Sequence, residues 1–298
     1  GQPILLRDIM RFIADERNKR DFGDGQRLSF IPSKTIRIPV DTAAVKASGL
    51  IPNEMKNRVL PYLDFTIRRN YIFKNDLMLL DILATNDWKR PIYLTSPSGI
   101  GGAINLDEYS HLEGMVYKFL PVKATDYIRG LGGVSADTCY DILVNRIKHW
   151  GNLNDPRVTV DRESFRNAAI PRQNYMRVAQ SMLNKGKNEE AEKALDLSLQ
   201  YFPTSKIFPD KYMLSYVDLY YAAKATEKAN NMALQLANIF SQDLNFYLSL
   251  EPKYSSQYEE EMSENAYLIQ RLSQVASQNG QDSTAKAIEA MINIKLSQ

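Results

Sequence analysis

Apolar side chains at positions 5, 6, 9, 10, 12 and 13 predict a helix over residues 4–14 with one broad apolar face. A polar, glycine-containing turn follows over residues 17–26. Residues 28–31 and 36–40 then read as two short strands. Pro32 and Pro39 confine them to edges or strand ends, because proline cannot donate to a ladder. Residues 62–67 alternate in polarity and form a third strand candidate. Asn75–Asp76 offers an N-cap to a helix over residues 77–84, and Asn86–Asp87 closes it. Residues 90–95 read as a short apolar strand, residues 106–114 as another helix, and residues 115–122 as a further strand. Helices and strands alternating at these lengths predict a small α/β layer with some parallel pairing. Residues 137–150 have helical spacing again, and residues 151–156 are rich in turn formers.

From residue 162 onward the chain reads as nearly all helix. Residues 175–203 predict a helix, a tight turn at 184–188, and a second helix stopped by Pro203. Small residues (Ala179, Ala191, Ser198) sit where two antiparallel helices must approach closely, and Tyr175, Val178, Met182 and Leu195 fill the space between them. This alternation of large and small residues resembles one tetratricopeptide-type unit. The turn before Glu189-Glu190-Ala191 recurs, with its glycine, before Ser283-Thr284-Ala285, and without a glycine before Glu227-Lys228-Ala229. Spacing between the turns is longer than the ~34 residues of the standard repeat, which predicts a short, irregular stack. Residues 241–257 are expected to add an extra helix and loop. Such stacks build binding surfaces and scaffolds.

A chain of 298 residues with 44% hydrophobic and 24% charged residues has room for one large or two ordinary domains. A net charge of only +2 provides no global basic field for nucleic acid or an anionic membrane. Local basic clusters (Arg17, Lys19, Arg20; Arg68, Arg69) read as solvated faces. The single cysteine, Cys139, excludes an intramolecular disulfide and reads as a small buried apolar residue. No apolar run approaches the length needed to span a bilayer. The start, Gly-Gln-Pro without methionine, is expected to mark an excised segment with Gly1 as a cloning remnant.

Candidate chemistry is sparse. His111 and His149 have no third His and no Cys at ligand spacing, so neither a metal nor any cofactor is expected. The glycine-rich stretch at residues 96–102 follows a strand but lacks the Lys-Ser/Thr of a nucleotide P-loop, and the stretch at 129–133 reads as a mobile surface loop. Asp107, Glu108 and Glu113 form the best enzyme alternative: a pair of them near Gly101–Gly102 could act as acid and base in sugar chemistry. Asp76 and Asp107 each have a competing use as helix caps. Tyr212, Tyr216 and Tyr220 recur at intervals of four and share one helical stripe, which either fills a core or lines a groove suited to a peptide or sugar ring.

The segment KNDLMLLDILATNDWKRPIYLTSP at residues 74–97 resembles a motif of large bacterial multi-pass membrane proteins. These are related to the protein O-mannosyltransferase-like glycosyltransferases of the GT-C class. FIPSK at 30–34, IPVD at 38–41, LEGMVYKFLPVK at 112–123, YDILVNR at 140–146, WGNLNDP at 150–156 and DLNFYLSL at 243–250 extend the resemblance in the same order. In that family these segments belong to the tail after the last membrane helix, and the catalytic carboxylate lies in an early loop of the membrane half. The resemblance therefore implies a non-catalytic accessory domain on the periplasmic or extracytoplasmic side, tethered to the inner membrane through its parent.

The expected architecture is α+β, with an α/β domain at 2–160 followed by an all-α tetratricopeptide-like stack at 161–298. The expected partners are the membrane-embedded half of the parent protein and an acceptor protein or peptide, with no nucleic acid. Arg177, Lys206, Tyr212 and Tyr216 are the candidate binding residues. Besides the carboxylate enzyme, a purely structural role is the remaining alternative.

Overall fold

The computed structural model describes residues 2–23, 25–97 and 104–293. Glycines 99, 101 and 102 of the first glycine-rich stretch lie outside the described residues. The fold is α+β, with sheets in the N-terminal half and a helical C-terminal stack. The chain divides into two compact units, Gly1–Ile142 and Leu143–Gln298. Residues 143–160, grouped with the α/β part on their sequence, thus belong to the helical unit.

In the first unit, β1 (Ile4–Leu5) leads into α1 (Leu6–Ala14), and β2 (Arg20–Asp21) and β3 (Arg27–Leu28) form a separate antiparallel hairpin. Then come β4 (Thr35–Pro39), α2 (Thr42–Ala47), β5 (Tyr62–Thr66), α3 (Lys74–Thr85) and β6 (Ile92–Leu94). The unit continues with β7 (Ser110–Glu113), β8 (Val116–Phe119), β9 (Gly133–Val134) and α4 (Ala136–Tyr140). A three-stranded sheet has the order β1-β4-β5, with β1 parallel and β5 antiparallel to β4. A four-stranded sheet has the order β6-β8-β7-β9, in which only β7 and β9 run parallel.

Alternation sets the faces of the first sheet. Ile36, Ile38, Leu63 and Phe65 point into the core, while Arg37 and Asp64, directly opposite each other, pair at 2.7 Å on the outer face. Leu6 and Ile9 of α1 and Leu80 and Leu83 of α3 belong to the same core. Asp76 caps α3 from its third position, where its carboxylate accepts the Phe73 N–H at 3.0 Å. Trp88 stacks on Phe119 at 5.5 Å although its φ is 57°, a left-handed conformation rare for a bulky residue.

One expected helix is a strand. Residues 106–114 form a single 3₁₀ turn (Asp107–Tyr109) and then β7, which is paired on both sides. Cross-strand pairing outweighs local helical spacing here, because all four residues of β7 are buried between β8 and β9. A two-residue turn, Gly114-Met115 with Gly114 at φ 72°, joins β7 to β8, and a side chain at 114 would collide with Ile142. The stretch at 129–133 is likewise not a mobile surface loop. Gly132 and Gly133 are buried, and Gly130 donates to Asp107 at 2.8 Å.

In the second unit, a π-helical turn (Asp141–Arg146) leads into irregular chain, followed by α5 (Arg162–Asn184), α6 (Asn188–Tyr201), α7 (Leu214–Ala222) and α8 (Thr226–Ser249). The short α9 (Pro252–Ser255), α10 (Glu259–Gln278) and α11 (Asp282–Asn293) complete it. Ala179, Ala191 and Ser198 are fully buried where α5 meets α6, and Tyr175, Val178, Met182 and Leu195 are buried beside them. Trp150 packs edge-on against Tyr175 and Phe202, with centroids at 6.3 and 5.1 Å, and Tyr175 donates to the Leu143 carbonyl at 2.7 Å.

The three turns α5–α6, α7–α8 and α10–α11 share one backbone solution. Gly186, Lys224 and Gly280 take φ values of 72°, 65° and 73°. The next residue in each case donates back five positions: Lys187 to Met182 (3.0 Å), Ala225 to Tyr220 (2.9 Å) and Gln281 to Ala276 (2.9 Å). The recurrence read in the sequence is therefore one of geometry, and Lys224 adopts it without glycine's freedom. Replacing Lys224 by Gly is expected to stabilise the helical unit by about 0.5–1 kcal/mol. Gly186→Ala and Gly280→Ala should each destabilise it by a similar or larger amount; thermal denaturation of the three variants tests the pattern.

Candidate functional site

The best-formed opening in the helical unit is a groove of about 230 Å³ between the first half of α5, the chain at 207–210 and the start of α7. Phe165, Ile170, Met176, Phe208 and Tyr212 form its walls, and Tyr216 and Arg172 lie at its floor. Ile170, Phe208 and Tyr212 are 51%, 68% and 62% exposed, an unusual state for three large neighbouring apolar groups. The volume is below the roughly 300–1,000 Å³ of pockets that enclose whole small molecules.

Arg172 organises this groove, and it was not among the residues picked out from the sequence. The residue is buried, and its guanidinium donates twice to the Phe202 carbonyl (3.2 and 2.6 Å) and once to the Ile207 carbonyl (2.8 Å). These bonds tie the chain that carries Ile207 and Phe208 to α5. Among the described residues no carboxylate pairs with it, and Nη1 takes no part in these bonds. Burial pulls its pKa below the usual arginine value, partly countered by the fields of Tyr216 and Asp210. The sequence signal for it is Pro171, which sits inside α5 and leaves the helix one N–H short at this point.

Of the four residues chosen from the sequence, Tyr212 and Tyr216 line the groove, with different roles. Tyr212 belongs to a 3₁₀ turn (Lys211–Met213) capped by Asp210 and projects into solvent. Tyr216, on α7, is buried; its hydroxyl lies 2.6 Å from Ser198 Oγ and donates to the Arg172 carbonyl at 3.0 Å. Desolvation pushes its pKa up to about 12, so it stays a neutral donor. Tyr220 on the same stripe is buried too and donates to Asp196 at 2.9 Å. Arg177 is buried within α5 and does not line the groove. Lys206 holds the irregular chain, donating to the carbonyls of Pro156 (2.8 Å) and Val158 (2.7 Å).

The candidate carboxylates in the first unit are engaged separately. Asp107 is buried and accepts from the Tyr127 hydroxyl and the Gly130 N–H, both at 2.8 Å, fastening the 127–130 loop. Glu108 pairs with Lys123 at 3.0 Å near the surface. Glu113 is buried at the end of β7, where the Tyr93 hydroxyl donates to it at 3.3 Å and the Lys118 ammonium forms an ion pair at 3.8 Å. Desolvation raises its pKa against the opposing pull of Lys118. Among the described residues no group of three His, Cys, Asp or Glu side chains could hold a metal ion. His111 is buried on β7, donating from Nε2 to the Val122 carbonyl at 2.9 Å.

A family model described as TMEM260-associated domain 2 matches residues 1–138, nearly all of the first unit and none of the helical one. That match gives the first unit a membrane-protein context. No curated protein and no solved structure matches the chain. Among the described residues no helix is long and apolar enough to cross a membrane.

Burial holds the His111 pKa below its ordinary 6.5, against smaller raising contributions from the Val122 carbonyl and Asp126. Between that depressed value and 6.5 the unfolded chain binds more protons than the folded one, so stability rises with pH across this window and flattens above it. Denaturant midpoints of the first unit are expected to fall on acidification below about pH 6.5. His111→Gln should flatten that dependence, whatever its effect on stability at neutral pH.

Proposed function

We infer that this chain is a non-catalytic accessory segment of a membrane protein related to GT-C glycosyltransferases. It works on the extracytoplasmic side, and its helical unit holds a protein acceptor or partner in the α5–α7 groove. The observation that carries this reading is the groove itself: three exposed apolar side chains beside a buried arginine that has no carboxylate in ion-pair range among the described residues, with Asp210 a more distant acid in the same lining. The complementary ligand is a peptide segment offering a large apolar side chain next to a carboxylate. The apolar group fills the space between Ile170, Phe208 and Tyr212, and the carboxylate faces Arg172. Binding of this kind selects acceptors for a reaction carried out by the membrane half of the parent. The membrane-protein context of the first unit and the resemblance of residues 74–97 support that assignment. The contacts of Asp107, Glu108 and Glu113 give the enzyme alternative no support, since each carboxylate is tied to its own neighbours.

A photo-reactive residue at the exposed position 212 of the full membrane protein is expected to crosslink to a protein partner. Ile170→Asp combined with Phe208→Ser should cut that crosslinking at least tenfold, in line with the ~2 kcal/mol carried by a typical anchor residue. Circular dichroism should be unchanged, because both side chains are exposed. Glycan attachment should fall for some acceptors and not others. Equal crosslinking and equal transfer in the double variant would overturn the reading.

A further inference from the structure

The first unit carries a second surface whose chemistry differs from that of the groove. The β2–β3 hairpin is not part of either larger sheet. It holds Phe22 and Leu28 out in solvent, beside Tyr71 and Phe73 on the chain leading into α3. Between hairpin and chain lies a depression of about 510 Å³ with Phe30, Ile31 and Ile72 in its lining. Phe22, Tyr71 and Phe73 are each more than half exposed, and Tyr71 and Phe73 meet edge to face at 5.3 Å.

The rim is cationic. Lys34 and Arg69 line the depression, Arg68 and Lys74 adjoin it along the chain, and the Arg20 guanidinium lies over the Phe30 ring at 4.6 Å. Lys34 donates to Asn70 at 2.6 Å, a neutral partner. Among the described residues none of these five cations has a carboxylate in ion-pair range; the neighbouring pairs are Arg17 with Asp15 and Lys19 with Glu16. Asp21, at the end of β2, accepts from the Gly23 and Gly25 amides at 2.8 and 3.2 Å and so serves the turn; Asp24, also between the two strands, lies outside the described residues.

We propose that this face docks on an anionic lipid surface, with Phe22, Leu28, Tyr71 and Phe73 entering the headgroup region and the five cations meeting lipid phosphates. Aromatic side chains with one apolar body and a polar neighbourhood favour the bilayer interface, and cations beside them add attraction to anionic headgroups. Single-stranded nucleic acid is the other ligand that combines cations with rings, but it requires free ring faces for stacking. Phe30 has none to offer: Phe12 and Phe22 meet it edge to face at 5.2 and 6.3 Å, and Arg20 covers it. The aliphatic Leu28, Ile31 and Ile72 add surface that bases do not use. The docking face lies wholly within the first unit and is independent of the groove in the second.

The test is co-sedimentation of the whole chain with vesicles of phosphatidylcholine alone and of phosphatidylcholine with 30 mol% phosphatidylglycerol, a fraction of about one lipid in three that gives a strongly negative surface. Binding to the anionic vesicles only, weakening with salt, is expected. Arg68→Gln with Arg69→Gln should weaken it about fivefold for each cation removed. Phe22→Ser with Tyr71→Ser should weaken it at least tenfold, and all four side chains are sufficiently surface-placed to leave the thermal melt intact. Absence of sedimentation with anionic vesicles, or wild-type sedimentation of both double variants, overturns the proposal. Tighter binding to an oligothymidylate than to the vesicles would overturn it in favour of nucleic acid.

Discussion

The helical unit depends on how closely paired helices can approach. Where α5 meets α6, Ala179, Ala191, Ala194 and Ser198 are all fully buried, small groups that let the two backbones come close. That approach is possible only if the connecting turn reverses the chain within a few residues. The left-handed residue with its five-residue return bond achieves this at Gly186, Lys224 and Gly280 alike. Large side chains such as Tyr175 and Met182 then fill the remaining space, each worth roughly 1.5–3 kcal/mol of burial. The position of Tyr216 follows from the same packing, because its hydroxyl meets Ser198, one of the small residues at the α5–α6 contact.

In the first unit the governing constraint is strand pairing, and several polar groups that look chemical serve it. Asp107 secures the loop that leads to β9, and the Leu120 and Ser135 amides reach back to the Tyr109 and Leu112 carbonyls. His111 and Glu113 are buried because both belong to a strand paired on its two sides. Buried carboxylates and imidazoles attract functional readings because their pKa values shift. Here the shifts of His111 and Glu113 arise first from desolvation within a sheet, and each side chain is held by a carbonyl, hydroxyl or ammonium of the fold.

What could be read in the sequence was whatever depends on local order. The strands at 36–40 and 62–67 follow from alternation and lie within a residue of the expected positions; the helix closed by Asn86 ends as expected but starts three residues earlier, at Lys74, so that Asp76 caps it from inside. The recurrence of the helical turn was legible even where glycine is missing, since Ala-Lys-Ala stands in register with Lys-Gly-Lys. β7 was misread because four residues with helical spacing contain no record of two strands waiting on either side. Residues 143–160 carry no local mark of the unit they fall in; Trp150 and the Leu143 carbonyl contact side chains of α5 and the residue following α6. Arg172 escaped notice for a related reason: its partners are carbonyls some thirty residues away, and a carbonyl belongs to every residue.

Charge shows the same limit of averages. A net charge of +2 over 298 residues argues correctly that no uniform field surrounds the chain, yet it says nothing about where individual charges are left uncompensated. Several acids near the surface are paired within a few residues or across a strand, as in Asp15 with Arg17 and Asp64 with Arg37. Exposed pairs of this kind contribute little to stability, but they remove charge from the surface available to partners. Cations left over after that pairing are the ones a ligand can meet, and in the first unit Lys34 and Arg69 are two that line a depression beside the exposed Phe22 and Tyr71. Arg172 is an extreme case. A buried guanidinium held only by carbonyls carries a desolvation cost of several kcal/mol that an ion pair would offset. Its helix tolerates this because the same three bonds shape a wall of the groove, and an arriving carboxylate would supply the missing compensation at the moment of binding.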